Sequence, residues 1–266
     1  MAKNRTSVFS WVWLLIGILY LGLPLLSTLG YSLSPEVRAG NPISFSAYFD
    51  VLSDPKFSAN LWFSIGAGLL TTVISTMLLV PTTYWVQLRM PYLRSTLELM
   101  TLLPIVVPVI VQVFGLLALY RSTFLVNGSG GLYILMIGAY IIWAFPYTYR
   151  PISAAFQAIN VKVLTEAAQS LGASWITILL RVILPNVWGG VLNSAFITFA
   201  LALGEFTISS LLAQQTFSMY QFGVKDDIYK PIAFTVISFA LTWFFIAVLQ
   251  QVTKHPSQRN AARTTR

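Results

Sequence analysis

Glu166-Ala-Ala-Gln-Ser-Leu-Gly172, followed by Val182-Ile-Leu-Pro185, lies between two long apolar stretches of a very hydrophobic chain. From Asn160 to Leu171 the apolar residues Val163, Leu164, Ala167, Ala168 and Leu171 recur at helical spacing and make one face, with Lys162, Glu166 and Gln169 elsewhere on the circumference. Asn160 is the expected N-cap, because its short side chain can accept from the first free N–H groups. Gly172 is the expected terminator, since it takes positive φ without a Cβ clash. Ser174 to Ile183 is apolar again, and Pro185 is expected to restart the chain into the next apolar run. A short amphipathic helix in this position suits insertion into a partner's groove. The competing reading is a helix lying flat in the lipid interface. Ala167 and Ala168 bury little area, which favours close packing against protein.

Composition bounds the rest. Of 266 residues 56% are hydrophobic and only 9% charged, against about 25% charged in an average soluble chain. This is a membrane composition. The net charge of +8 comes from basic residues scattered singly at the ends of apolar runs, not from a patch that would bind nucleic acid. There is no cysteine, and the single histidine, His255, lies in a polar tail. Thiol chemistry, a histidine metal site and a catalytic triad are therefore excluded. No Gly-x-x-x-x-Gly-Lys-Ser/Thr phosphate loop occurs, so ATP, if used, binds another subunit. No catalytic residue, metal or cofactor is expected.

Six apolar segments reach the roughly 20 residues needed to cross a bilayer: Trp11–Leu33, Asn60–Leu88, Leu97–Tyr120, Leu132–Tyr149, Val187–Ala213 and Pro231–Val252. The expected fold is all-α and polytopic. The first run is too long for the apolar core of a signal peptide and is expected to be retained. Lys and Arg set the orientation. Lys3, Arg5, Arg89, Arg94, Arg150, Lys162, Arg181, Lys254, Arg259, Arg263 and Arg266 fall on one side, against Arg38, Lys56, Arg121, Lys225 and Lys230 on the other. That bias puts both termini, and the Glu166 segment with them, in the cytoplasm. Ser34–Ala59, with Pro35, Pro42 and Pro55, is expected outside, and Arg121–Gly131 reads as a flexible external turn. Lys225, Asp226 and Asp227 read as a solvated outer loop, with contact to an external receptor as the other option.

Polar residues inside the spans are the candidates for a solute path. Glu205 is costly in lipid and should face the bundle or a wet cavity. At about 100° per residue on one continuous helix, Ser194, Thr198, Glu205 and Ser209 share a face. Two readings stand: a stripe lining the path, or hydrogen bonds between helices. In the second span Ser64, Gly68, Thr71, Ser75 and Thr82 share a face that suits close packing. In the third, Pro104, Pro108, Gln112 and Gly115 predict a bend, and Gln112 is a secondary path candidate. Pro146 and Pro151 predict a bend leading out of the fourth.

Glu166-Ala-Ala, three further residues, Gly172, nine more, and Val182-Ile-Leu-Pro185 resemble the coupling loop of permease subunits from binding-protein-dependent ABC importers. Val182 stands where that family usually has Ile. Ala202-Leu-Gly-Glu-Phe-Thr-Ile208 adds a resemblance to the spermidine/putrescine type, whose neighbours handle aminophosphonate, ferric iron, thiamine and sulfate. The resemblance implies a permease core over 58–252, preceded by an extra helix and external loop in 1–57 and followed by a disordered basic tail, 253–266. It implies a plasma-membrane complex with a second permease subunit, two cytoplasmic ATPases and an external solute-binding protein. Glu166, Ala167, Ala168, Gly172 and Pro185 would belong to the coupling element. The competing class, an ion-gradient-driven secondary transporter, should show inverted repeats or paired broken helices, and none is visible.

Overall fold

The computed structural model describes residues 8–33, 43–128, 130–224 and 229–253. The expectations for Lys3 and Arg5, for 34–42, for Ser129, for Lys225, Asp226 and Asp227, and for the tail from Lys254 lie outside them. Among the described residues every regular element is helical. Contacts divide the chain into two compact units, 1–58 with 221–245, and 59–220 with 246–266.

The first unit holds α1 (Val8–Ser32), α2 (Ser46–Ser53), the start of α3 (Pro55–Arg89) and most of α14 (Tyr229–Thr253). Part of the expected outer loop is thus helical. Polar pairs and one ring contact tie this unit together. Ser32 Oγ and Tyr48 Oη are 2.6 Å apart, Lys230 meets Asp50 at 3.4 Å, and Phe57 meets Phe234 edge-on at 5.9 Å. The large side chains of α1 from Trp11 to Leu26 are exposed, as suits a helix facing lipid.

The second unit carries most of α3, then α4 (Leu93–Met100), α5 (Leu103–Val106) and α6 (Val109–Tyr120). Beyond these come α7 (Phe124–Asn127), α8 (Gly131–Gln157), α9 (Val161–Ser170) and α10 (Trp175–Thr177). A π-helical segment, Ile178–Ile183, leads into α11 (Leu184–Gly204), followed by α12 (Thr207–Leu211) and α13 (Phe217–Gly223). Four helical stretches among the described residues are long and apolar enough to cross a membrane: Ser10–Ser32, Pro55–Arg89, Gly131–Gln157 and Trp175–Gly204. A fifth is a pair, Leu93–Val106 and Val109–Tyr120, bent by 99°. The helix α14 overlies the sixth expected span.

Several expectations are corrected. The bend expected in Leu97–Tyr120 is a sharp break at Val107–Pro108, because Pro108 has no N–H and forces the preceding residue into extended backbone. The fourth span runs on through Pro151 to Gln157 rather than ending at Tyr149. The fifth begins twelve residues early and stops at Gly204, not Ala213. Pro185 does not restart a chain there. It sits inside a continuous helical run, just after the i→i+5 turns of Ile178–Ile183, whose wider winding relieves the clash of its ring with the preceding turn. The expected flexible turn Arg121–Gly131 contains α7, capped by Thr123 Oγ1 accepting from Leu125 N–H at 3.3 Å.

Two apolar clusters hold this unit. One joins Tyr84, Tyr149, Ile152, Phe156, Val161, Ala168, Ile178, Ile183 and Val187. The other joins Ala67, Val113, Met136, Tyr140, Ala202 and Ile208. The tightest seam is α8 on α11. A Cβ on Gly190 would fall on Ala155 Cβ and within 2.9 Å of the Pro151 carbonyl oxygen, so only glycine permits this approach. On α3, Ser64, Thr71 and Ser75 are buried and Gly68 faces the Phe199 ring, with 3.1 Å left for a Cβ. That agrees with packing. Thr82 departs from the face and is exposed, its neighbour Thr83 turning inward.

Candidate functional site

The helix α9 is built by local rules. Asn160 Oδ1 accepts from Val163 N–H at 3.2 Å and closes its N-terminus. At the other end Gly172 has φ +77°. Its N–H donates to the Gln169 carbonyl at 2.9 Å, and Ala173 N–H donates to that of Ala168 at 3.1 Å. These two bonds form a Schellman motif, which requires a left-handed residue at its centre.

Which face turns inward differs from the pattern. Val161, Thr165 and Ala168 are buried and Leu164 half-buried, while Val163, Ala167 and Leu171 are exposed. Thr165 Oγ1 lies 3.2 Å from Tyr84 Oη, and this polar contact from α3 draws the threonine side in. The apolar residues are therefore split between two faces. One is cemented to α3, α8, the π-helical segment and α11 through the first cluster. The other presents Val163, Ala167 and Leu171 (89% exposed) beside exposed Glu166 and Ser170. Glu166 lies 3.9 Å from Lys162 with both side chains well exposed, an ion pair of little energetic weight. Pro185 is exposed and lies at the base of α11.

The four stripe residues do not share one helix. Ser194 and Thr198 lie on α11 and bond across the seam: Ser194 Oγ donates to the Thr148 carbonyl at 2.8 Å, and Thr198 Oγ1 lies 2.7 Å from Thr148 Oγ1. All three side chains are buried. Glu205 ends α11 in extended backbone and lies only 7% exposed. Its carboxylate turns onto the start of α12, where Oε1 accepts from Thr207 N–H at 2.9 Å and Oε2 from Ile208 and Ser209 N–H at 2.8 and 3.3 Å. Ser209 Oγ donates back to the Phe206 carbonyl at 2.9 Å and accepts from Thr216 Oγ1 at 3.0 Å, and Ser218 Oγ donates to the Glu205 carbonyl at 2.7 Å. The negative charge thus meets three main-chain donors at a helix start, an arrangement that stabilises a buried carboxylate without a cation.

Gln112 serves the other break. Its Nε2 donates to the carbonyls of Val107 at 2.9 Å and Pro104 at 3.2 Å, two acceptors that the proline interruption leaves without helical partners. Sequence reasoning missed this backbone service at both breaks. The signal was present in the spacing of an acid and an amide from their neighbouring helix ends.

The model of the family described as "Binding-protein-dependent transport system inner membrane component" matches residues 57–256. The chain belongs to this family. This member is 28% identical over 155 residues to the spermidine/putrescine transport system permease protein PotC of Haemophilus influenzae, covering 55% of this chain and 57% of that one. It is 27% identical over 150 residues to the molybdenum transport system permease protein ModB of Azotobacter vinelandii, covering 52% and 65%. The matched region thus spans less than two thirds of each curated relative's length. A solved bacterial ABC transporter involved in the import of the acidic polysaccharide alginate shares the fold, with a TM-score of 0.66 at 16% identity over 94% of this chain and 99% of that one. As an inner membrane component of this kind, the protein is a multi-pass membrane protein.

Proposed function

We propose that this chain is one transmembrane subunit of an ATP-driven importer. It works with a second permease subunit, two cytoplasmic ATPases and an external solute-binding protein, with both of its own termini in the cytoplasm. The observation that carries the reading is the two-sided helix α9. Its outer face, Val163, Glu166, Ala167 and Leu171, is free to seat in an ATPase groove. Its inner face is locked to the ends of three long helices by Val161, Thr165 and Ala168. When the ATPases close on ATP, α9 moves as a rigid lever and carries α3, α8 and α11 with it, exchanging inward for outward access. Gly172 and Asn160 keep the lever's ends fixed, and Pro185 lies at the base of the span it drives.

The cargo we favour is a polyamine, on the similarity to the spermidine/putrescine permease. Aminophosphonate, ferric iron, thiamine and sulfate are the other solutes for the test panel. Glu205, Ser209 and Gln112 border the route at the two helix breaks, and Ser194 and Thr198 border it at the α8–α11 seam. The test is to reconstitute the chain alone and with its cognate ATPase, partner permease and binding protein in vesicles. We expect no ATP hydrolysis by the chain alone, and solute-stimulated hydrolysis with uptake of labelled putrescine by the assembly. Hydrolysis by the isolated subunit would overturn the reading. Uptake of another panel solute would replace only the cargo.

A further inference from the structure

Between the end of α3 and α4 lies a cleft of ≈ 470 Å³ whose wall includes Pro81, Trp85, Met90, Leu93, Leu97 and Met100. Apart from two threonines its lining is apolar, and Thr82 Oγ1 already donates to the Leu78 carbonyl at 2.6 Å. Nothing in the cleft therefore asks for a polar solute. Such a space accepts a flexible hydrocarbon chain but not a helix about 10–12 Å wide. Met90 and Met100 supply walls that adapt to an irregular occupant.

Charged residues flank this lining in sequence: Arg89 and Arg94 at the α3–α4 turn, and Glu98 after Leu97. Arg89 directly precedes Met90 and Arg94 directly follows Leu93, so each cleft-lining residue at the α3–α4 turn carries an arginine beside it. Both arginines are exposed. Arg94 meets Glu98 at 3.0 Å between two half-exposed side chains, a pair weak enough to be exchanged. Trp85 and Trp175 pair with their rings 6.1 Å apart, and Tyr92, in the α3–α4 turn, is 73% exposed. Tryptophan and tyrosine gather where acyl chains give way to headgroups. An apolar cleft flanked by two exposed arginines and by interfacial aromatic residues suits an amphiphile with an anionic head.

We propose that this cleft binds an anionic phospholipid, with an acyl chain between α3 and α4 and the phosphate held by Arg89 and Arg94. The site depends on the chain spanning a bilayer and not on the importer reading. The test uses the full chain in nanodiscs of mixed phosphatidylglycerol and phosphatidylcholine, followed by native mass spectrometry of retained lipid. Wild type should retain phosphatidylglycerol selectively. Each arginine near the surface contributes about a fivefold preference for anionic lipid, so Arg89→Gln with Arg94→Gln should cut the selectivity on the order of thirtyfold. Leu97→Trp, which fills the cleft, should lower retention of both lipids, and Met100→Trp repeats the test if the first variant is poorly folded by circular dichroism. Equal retention of the two lipids by wild type would overturn the proposal. So would selectivity unchanged in the arginine double variant, or a second copy of the chain in place of lipid.

Discussion

Gly172 and Ala213 hold the same left-handed backbone at the ends of two helices, with φ +77° and +52°. At Ala213 the bonds Ala213 N–H to the Ser210 carbonyl and Gln214 N–H to that of Ser209 repeat the pattern that closes α9. A Cβ in this conformation costs roughly 1–2 kcal/mol. Gly172→Ala should therefore lower the stability of α9 by about 1 kcal/mol. Gly172→Val should do more, because a β-branched side chain tolerates positive φ least. No neighbour lies within 4 Å of the added Cβ, so the cost is conformational and not a clash. In the reconstituted assembly we expect Gly172→Val to uncouple ATP hydrolysis from uptake while the chain still inserts. Coupled uptake at the wild-type rate would reduce α9 to an interfacial anchor. Glu205 poses the second residue-scale test. Replacing a capping side chain by Ala costs about 0.5–2 kcal/mol, so Glu205→Ala should lower membrane abundance and uptake together, with Glu205→Gln between the two. Quantitative immunoblotting alongside uptake decides. Uptake abolished at full abundance would make the carboxylate a contact for solute.

At the scale of elements, the seam between α8 and α11 is governed by one missing side chain. Gly190→Val would push three carbons into Ala155 and the Pro151 carbonyl, and overpacking of this kind costs typically about 1–3 kcal/mol. We expect lower yield of folded protein and an earlier thermal transition, while Gly189→Val, where nothing lies within 4 Å, leaves both unchanged. Equal behaviour of the two variants would show that the seam is not tight. The same scale explains what could be read from sequence. Helix ends were legible because Asn160 and Gly172 act on backbone groups three or four residues away. The inward face of α9 was not, because Val161, Thr165 and Ala168 are chosen by Tyr84 and Ile152 from distant parts of the chain. The break at Pro108 was visible as a bend but not as 99°. The break at Gly204 was hidden, since Glu205 read as a charge in a continuous helix when its acceptors were already committed to the next one.

For the molecule as a whole, orientation is the property that α9 depends on, and the absence of cysteine makes it measurable without background. Single cysteines at Ser170 and Asn127 lie on exposed sites. With a membrane-impermeant thiol reagent on intact cells, Asn127→Cys should label at once and Ser170→Cys only after permeabilisation. The reverse order would turn the whole chain over and leave α9 on the wrong side for an ATPase. The break in the third segment also matters at this scale. The helix α6, with 12 residues, reaches only about 18 Å, short of the roughly 30 Å hydrocarbon layer. Its interrupted backbone must then be covered by protein wherever it meets that layer; Gln112 and the packing of Val113 against α8 and α12 supply part of that cover.

The π-helical winding of Ile178–Ile183 has a consequence for insertions and deletions. An i→i+5 turn holds one residue more than an α-turn. Loss of exposed Leu180 would leave an ordinary α-helix, with Trp175 and Val187 still pointing as they do now. Loss of another exposed residue further on, such as Trp188, would swing Gly190, Ser194 and Thr198 about 100° away from α8. The stretch between α9 and α11 is thus where one residue can be shed without re-aiming either helix.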